Sequence, residues 1–183
     1  MPSVGQVRPA QCPSCEGASQ PAGEGIVLHG HGLRERQLRG PAAPGEPAAI
    51  LGVQARRYRC RRCKAICIVV PAEMLPWRLY SASAIALALS LFGALRLSPA
   101  TIRERVSPWK IVGASAGRRW VTLLRWTDAV VAQRLFRCVR PAPLSWARRR
   151  VAERAATTIA GHAPPSTGRP LEEQAFLGAA RAA

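Results

Sequence analysis

An α+β protein is expected, with a small three-stranded ribbon over residues 12–71 ahead of a helical, helix-turn-helix-like domain over residues 77–139. Three observations predict it. Two cysteine pairs of identical spacing, Cys12-Pro-Ser-Cys15 and Cys60-Arg-Arg-Cys63, bracket the first third of the chain. Short segments of strand character lie between and just after them. Beyond Pro76 the composition turns to alanine and leucine, with apolar residues at helical spacing.

Taken in order, residues 1–11 read as a flexible leader, and "CPSCEG" as a tight turn with Pro13 and Gly17 at its bends. A first strand is predicted at 26–29, with an extended continuation near 33–38. The three prolines of "PAAPGEPAA" make 41–49 a flexible insert. A second strand follows at 50–60 and a third at 65–71, stopped by Pro71. A helix is predicted over 77–95, broken near Gly93. A short one over 98–109 has Ser98 as N-cap, Pro99 at its first position and Pro108 at its end. The segment 113–139 has the clearest helical period, with Ser115 as N-cap. Trp120, Leu123, Leu124, Thr127 and Val131 share one face of it; Arg118, Thr122, Arg125 and Gln133 take the other. Residues 141–160 suggest a peripheral helix, and 161–183 a flexible tail.

The cysteine pairs carry the chemistry. Each CxxC lets two thiolates reach one cation from a turn whose amides point at the sulfurs, and two such turns complete the tetrahedral four-sulfur set that Zn2+ favours. Cys12, Cys15, Cys60 and Cys63 are therefore the expected ligands of a structural zinc. The 44 residues between the pairs are many for a minimal ribbon; the proline-rich insert and the strands account for the excess. A thioredoxin-like redox pair would need a βαβ setting that neither CxxC has. His29 and His31 either replace a ligand or are solvated on the strand, and Cys67 and Cys138 read as ordinary buried thiols.

The formal net charge is +17, and all of the excess lies between residues 51 and 160, with neutral regions on either side. A charge so concentrated attracts polyanions, because neutralising phosphates releases condensed counterions. Near the second cysteine pair, Arg57, Arg59 and Arg61 alternate with Arg56, Tyr58, Cys60 and Arg62. Both strand faces are then expected to be basic, with Lys64 close by and Tyr58 placed to stack on a base.

"CPSC", then "HGHGLRERQLRG", then "RRYRCRRCKA…VVP" resembles the N-terminal zinc ribbon of bacterial insertion-sequence transposases. The chain is also similar to short bacterial proteins that join such a ribbon to a helical segment ending in W-x-x-L-x-R-W, which here runs from Trp120 to Trp126. The resemblance covers roughly residues 10–127. It implies the same four cysteines as zinc ligands and a role facing DNA. A separate transposase chain or a second copy would be the protein partner of such a module.

Catalysis does not carry over. Cleavage by the common transposase chemistry needs three carboxylates around two metals. This chain has one aspartate, Asp128, and nine scattered glutamates. Four cysteines would also close the zinc to substrate. The expected function is non-catalytic binding of double-stranded DNA, through Arg56, Arg57, Arg59, Arg61, Arg62 and Lys64 on the ribbon. Arg118, Arg119, Thr122 and Arg125 on a major-groove helix would add to it. No small-molecule substrate is expected. The alternative is a zinc-stabilised adaptor for protein or RNA. Residues 79–95 run without a charge but are shorter than the about 20 apolar residues a bilayer crossing needs, so they are expected to be a buried helix. Lacking an apolar run behind a basic start, the chain is expected to be cytoplasmic, and nucleoid-associated when bound to DNA.

Overall fold

The computed structural model describes residues 3–113 and 120–183. Its elements are β1 (Leu28–Gly40), β2 (Ala49–Cys60), β3 (Ile66–Val69), α1 (Ala82–Gly93), α2 (Pro99–Val106), α3 (Val121–Val131), α4 (Arg148–Ala160) and α5 (Leu171–Ala182). The expected α+β class is what forms: among the described residues, a three-stranded sheet in the order β1-β2-β3 is followed by five helices. The chain divides into two compact units. One comprises Met1–Gln37 with Gly52–Pro71, the other Leu38–Leu51 with Ala72–Ala183.

In the first unit β3 pairs antiparallel with β2, setting Arg57 opposite Ile68, Tyr58 opposite Cys67 and Arg59 opposite Ile66. Side chains on a strand alternate between faces, and here the alternation is clean. Tyr58 and Cys60 are fully buried while Arg59 between them is exposed. The buried face packs on Cys12, Val27 and Leu28, with Val7, Cys67 and Val69 against them. The leader expected to be flexible is instead drawn onto this core. The Tyr58 hydroxyl donates to the Val4 carbonyl at 2.7 Å, as a buried phenol requires. Gly30 leaves room for Val4, whose Cγ1 would lie 2.9 Å from any Cβ added there.

In the second unit α1 is the central helix. All of its residues except Leu87 are buried, as suits a helix that is apolar all round. It packs against α4 and α5, which also pack on each other, and α2 and α3 complete the surround. Ser81 caps α1 by accepting a hydrogen bond from the Ala84 amide at 3.0 Å. The helix starts at Ala82 rather than Trp77 because residues 79–81 are used elsewhere. The Arg39 amide donates to the Leu79 carbonyl, the Ser81 amide donates to the Arg39 carbonyl, and Tyr80 bridges Arg39 in parallel. At the other end Arg149 donates to the carbonyls of Phe92 at 2.8 Å and Leu97 at 3.3 Å, and its guanidinium lies 4.5 Å from the Phe92 ring centre. A cation there answers both the unpaired carbonyls and the negative end of the helix. Replacing Arg149 with Ala is expected to destabilise the unit by about 1–3 kcal/mol, seen as a lower urea midpoint with metal content unchanged.

The expected cap and proline of α2 are in place: Ser98 accepts from the Thr101 amide at 3.1 Å and Pro99 opens the helix. Of the segment expected to be helical over 113–139, the described residues are helical over Val121–Val131. Gln133 and Phe136 have left-handed φ of 55° and 50°, which ends the helix while Leu135, Phe136 and Val139 turn inward. The tryptophans of W-x-x-L-x-R-W serve the core. Trp120 and Trp126 meet edge to face at 5.1 Å, and Tyr80 meets them at 5.9 and 5.1 Å.

Two expectations about the C-terminal third are corrected. The helix expected to be peripheral is α4, whose Val151, Ala152, Ala155, Ala156 and Ile159 are buried against α1. The tail expected to be flexible contains α5. Ala175, Phe176, Gly178, Ala179 and Ala182 form its buried face, with Glu172 and Glu173 in its first turn and Arg181 in its last. No helix among the described residues is long and apolar enough to cross a membrane.

Candidate metal centre and basic sheet face

Cys12, Cys15, Cys60 and Cys63 come together as the spacing predicts, their sulfurs all within 4.8 Å of one another. Cys12 Sγ lies 3.7 Å from Cys63 Sγ, and Cys15 Sγ 3.8 Å from Cys60 Sγ. A tetrahedron with zinc–sulfur bonds of about 2.3 Å has edges of about 3.8 Å. The Cys12–Cys63 and Cys15–Cys60 separations thus match the edge of such a tetrahedron, and the remaining ones stay within 4.8 Å.

The two turns are built alike. In the first, the Glu16 amide donates to the Cys12 carbonyl and the Cys12 amide to the Gly17 carbonyl, at 2.8 and 2.9 Å. In the second, the Lys64 amide donates to the Cys60 carbonyl and the Cys60 amide to the Ala65 carbonyl, at 3.0 and 2.9 Å. The residue after each second cysteine, Glu16 or Lys64, takes a left-handed φ of 55° or 63°. This repeated geometry frees the intervening amides for sulfur. Amides of Cys15 and Ser14 hold the Cys12 thiol down to about 7. Those of Cys63 and, after the opposing effect of burial, Arg62 pull the Cys60 thiol below its usual value. Cys15 is pushed up to about 11: the Gly17 amide draws it down, but the thiols crowding it, Cys63 first, together with burial outweigh that pull. Four sulfurs at one point resist full ionisation without a cation, and a bound divalent ion removes the conflict by deprotonating them. Four soft thiolates in a tetrahedral set could hold a metal ion such as zinc, and with four protein sulfurs they would leave it no open position.

Cys67 lies beside this centre, half-buried on β3, with its thiol raised by burial and by the nearby Cys12. Cys138, expected to be a buried helical thiol, is exposed and outside any helix. Its Sγ lies 3.6 Å from the Ala182 carbonyl.

The expected basic residues separate into different roles. Arg59, Arg61, Arg62 and Lys64 are exposed, and Arg56 and Arg57 half-buried. Arg62 is in an ion pair with Glu24 at 3.1 Å, and Lys64 Nζ donates to the Arg61 carbonyl at 2.7 Å. The expectation that Tyr58 is free to stack is corrected. It is buried with Cys60 on the inner face, which Arg56 shares half-buried, while Arg57 and Arg59 take the outer face. There Arg57 and Arg59 stand opposite the exposed Ile68 and Ile66. His29 and His31, on either side of Gly30 on β1, join Arg59, Cys60, Arg61 and Lys64 around a concavity of about 400 Å3.

On the helical unit Arg125 is exposed and Thr122 half-buried on α3, while Arg118, Arg119 and the expected cap Ser115 lie outside the described residues. Asp128 is held by Arg148 at 2.8 Å. A larger cavity of about 570 Å3 in this unit is lined by Glu46, Glu104, Glu172 and Glu173 together with Arg105 and Lys110, over Leu87 and Phe176.

Fold and site together define an α+β protein with a four-cysteine metal-binding centre. Compared with protein-family models, curated proteins and solved structures, the chain matches none.

Proposed function

We propose that the protein is a non-catalytic zinc-ribbon module that binds double-stranded DNA and belongs to, or derives from, a mobile element. The observation that carries DNA binding is the outer sheet face. Arg57, Arg59, Arg61 and Lys64 project from β2 and the turn after it, next to a metal centre that fixes their backbone. Arg59 and Arg61 have no carboxylate or other side-chain partner among the described residues, in contrast to Arg62. The concentration of the +17 charge between residues 51 and 160 supports the same polyanion. On the helical unit, Arg125 offers α3 a guanidinium able to bond the edge of a guanine. The mobile-element origin rests on the resemblance of the ribbon motifs alone. Absence of catalysis is supported by the closed thiolate set and by the engagement of the single aspartate with Arg148.

A zinc-stabilised adaptor is the second reading, favoured by the exposed Ile66, Ile68 and Val70 beside the arginines. A salt titration separates the two. Four phosphate contacts give a slope of log affinity against log salt of about −3.6, so duplex affinity should fall roughly 100-fold between 50 and 200 mM salt. Binding to several random duplexes, followed by fluorescence anisotropy, should show that fall. A flat salt response, or no binding, would remove the DNA function and leave the adaptor.

A further inference from the structure

We infer that the concavity bounded by His29, His31, Arg59, Arg61 and Lys64 is a phosphate-binding subsite, in which two histidines join the arginines as ligands for one phosphate group. The inference deepens the DNA reading and rests on it for the source of the phosphate, the polynucleotide backbone. The placement follows from strand geometry. His29 and His31 are two apart on β1 and so keep one face of it, while Arg59 lies near the end of β2 and Arg61 opens the turn that follows. The Arg61 amide donates to the Val27 carbonyl at 2.9 Å, which fixes the two strands beside each other at this point.

Three features give the concavity its specificity. Its lining has two guanidinium groups, an ammonium and two imidazoles beside the Cys60 corner of the metal centre, and no carboxylate, so cations outnumber the anionic groups that a phosphate would meet. Lys64 is held to the Arg61 carbonyl, so one ammonium is positioned in advance. His29 Nε2 is closed off from solvent with no hydrogen-bond partner among the described residues. Such an orphan is costly, and a small swing of the ring would let a phosphate oxygen become its partner. Guanidinium forks match phosphate oxygens in pairs, and imidazole supplies single N–H donors. About 400 Å3 admits a phosphate with its neighbouring sugar, but the site is open enough to accept a strand passing through.

The test uses the zinc-loaded full-length protein. Arg59→Ala/Arg61→Ala is compared with the charge-matched Arg134→Ala/Arg169→Ala, each checked for unchanged zinc content. Two probes are used: a random duplex at several salt concentrations, and millimolar inorganic phosphate at constant ionic strength, followed by the imidazole resonances of His29 and His31. The subsite predicts at least a tenfold loss of duplex affinity and a salt slope shallower by about two in the first variant only. It also predicts that phosphate, unlike chloride, shifts both histidines in the parent protein and neither in that variant. Phosphate shifts without duplex binding would keep the subsite but assign it to a free or terminal phosphate, and the DNA reading would fall. Duplex binding that survives Arg59→Ala/Arg61→Ala, with histidines indifferent to phosphate, would overturn the subsite and leave DNA binding to other residues.

Discussion

Replacing Cys60 with Ser is expected to abolish stoichiometric zinc binding and unfold the ribbon, leaving the five-helix unit folded. Structural zinc supplies about 10–16 kcal/mol in small metal-dependent domains at neutral pH. The ribbon has little else to hold it. Its core is five buried residues, two of them the ligands Cys12 and Cys60, and cores so small need a staple. Serine at position 60 removes one corner of the tetrahedron and a buried thiolate whose partners are fixed by backbone bonds on both sides. Elemental analysis should show zinc falling well below one ion per chain, and limited proteolysis should cut first within residues 3–71. Metal content equal to that of the parent would exclude Cys60 as a ligand. Strong chelators should reproduce the same cleavage pattern in the unaltered protein.

Gly93→Ala is expected to destabilise the helical unit by at least about 3 kcal/mol, the upper end of overpacking costs. A Cβ at position 93 would fall on the amide nitrogen of Glu153 and 2.6 Å from its Cα. These are backbone atoms of α4, so no side chain can rotate away; the helices themselves would have to part. Intrinsic propensity argues the other way, since Ala in place of Gly inside a helix is worth about 1 kcal/mol of stabilisation. The two effects have opposite signs, and urea unfolding followed by circular dichroism decides between them. A rise in stability would mean that α1 and α4 do not approach as closely as Gly93 requires. Gly178 repeats the device on α5, where a Cβ would meet the Ile159 carbonyl and lie 2.9 Å from the Ala163 amide.

The metal centre was legible because its signal is local and doubled: the same two-residue gap occurs twice, and each turn needs only its own six residues to form. The caps of α2 were legible for the same reason, since Ser98 and Pro99 act within one turn. The extent of α1 was not. Its start depends on Arg39, more than forty positions away, pairing with the backbone of residues 79–81, and no window along the chain reveals that competition. Tyr58 was misplaced because alternation says which residues share a face, not which face is buried. Leu28, Val7 and the second knuckle decide that together. α5 did leave a signal in Leu171, Ala175, Phe176 and Ala179 at helical spacing, with acids first and an arginine last. The turn-rich residues 161–170 and the prevalence of alanine masked it, because alanine contributes little to an apolar pattern yet permits the closest helix contacts.

The four sulfurs are not equivalent in their surroundings: Cys12 and Cys60 are buried, whereas Cys15 and Cys63 are exposed. Competing thiols, oxidants and stronger chelators therefore approach the centre from one side. With an ion bound, Cys15 and Cys63 would be the ligands open to exchange, and Cys12 and Cys60 the ones that hold it from inside. The lifetime of the loaded ribbon would then be governed by what shields that open flank, and a polyanion lying across the neighbouring cations would slow the exchange.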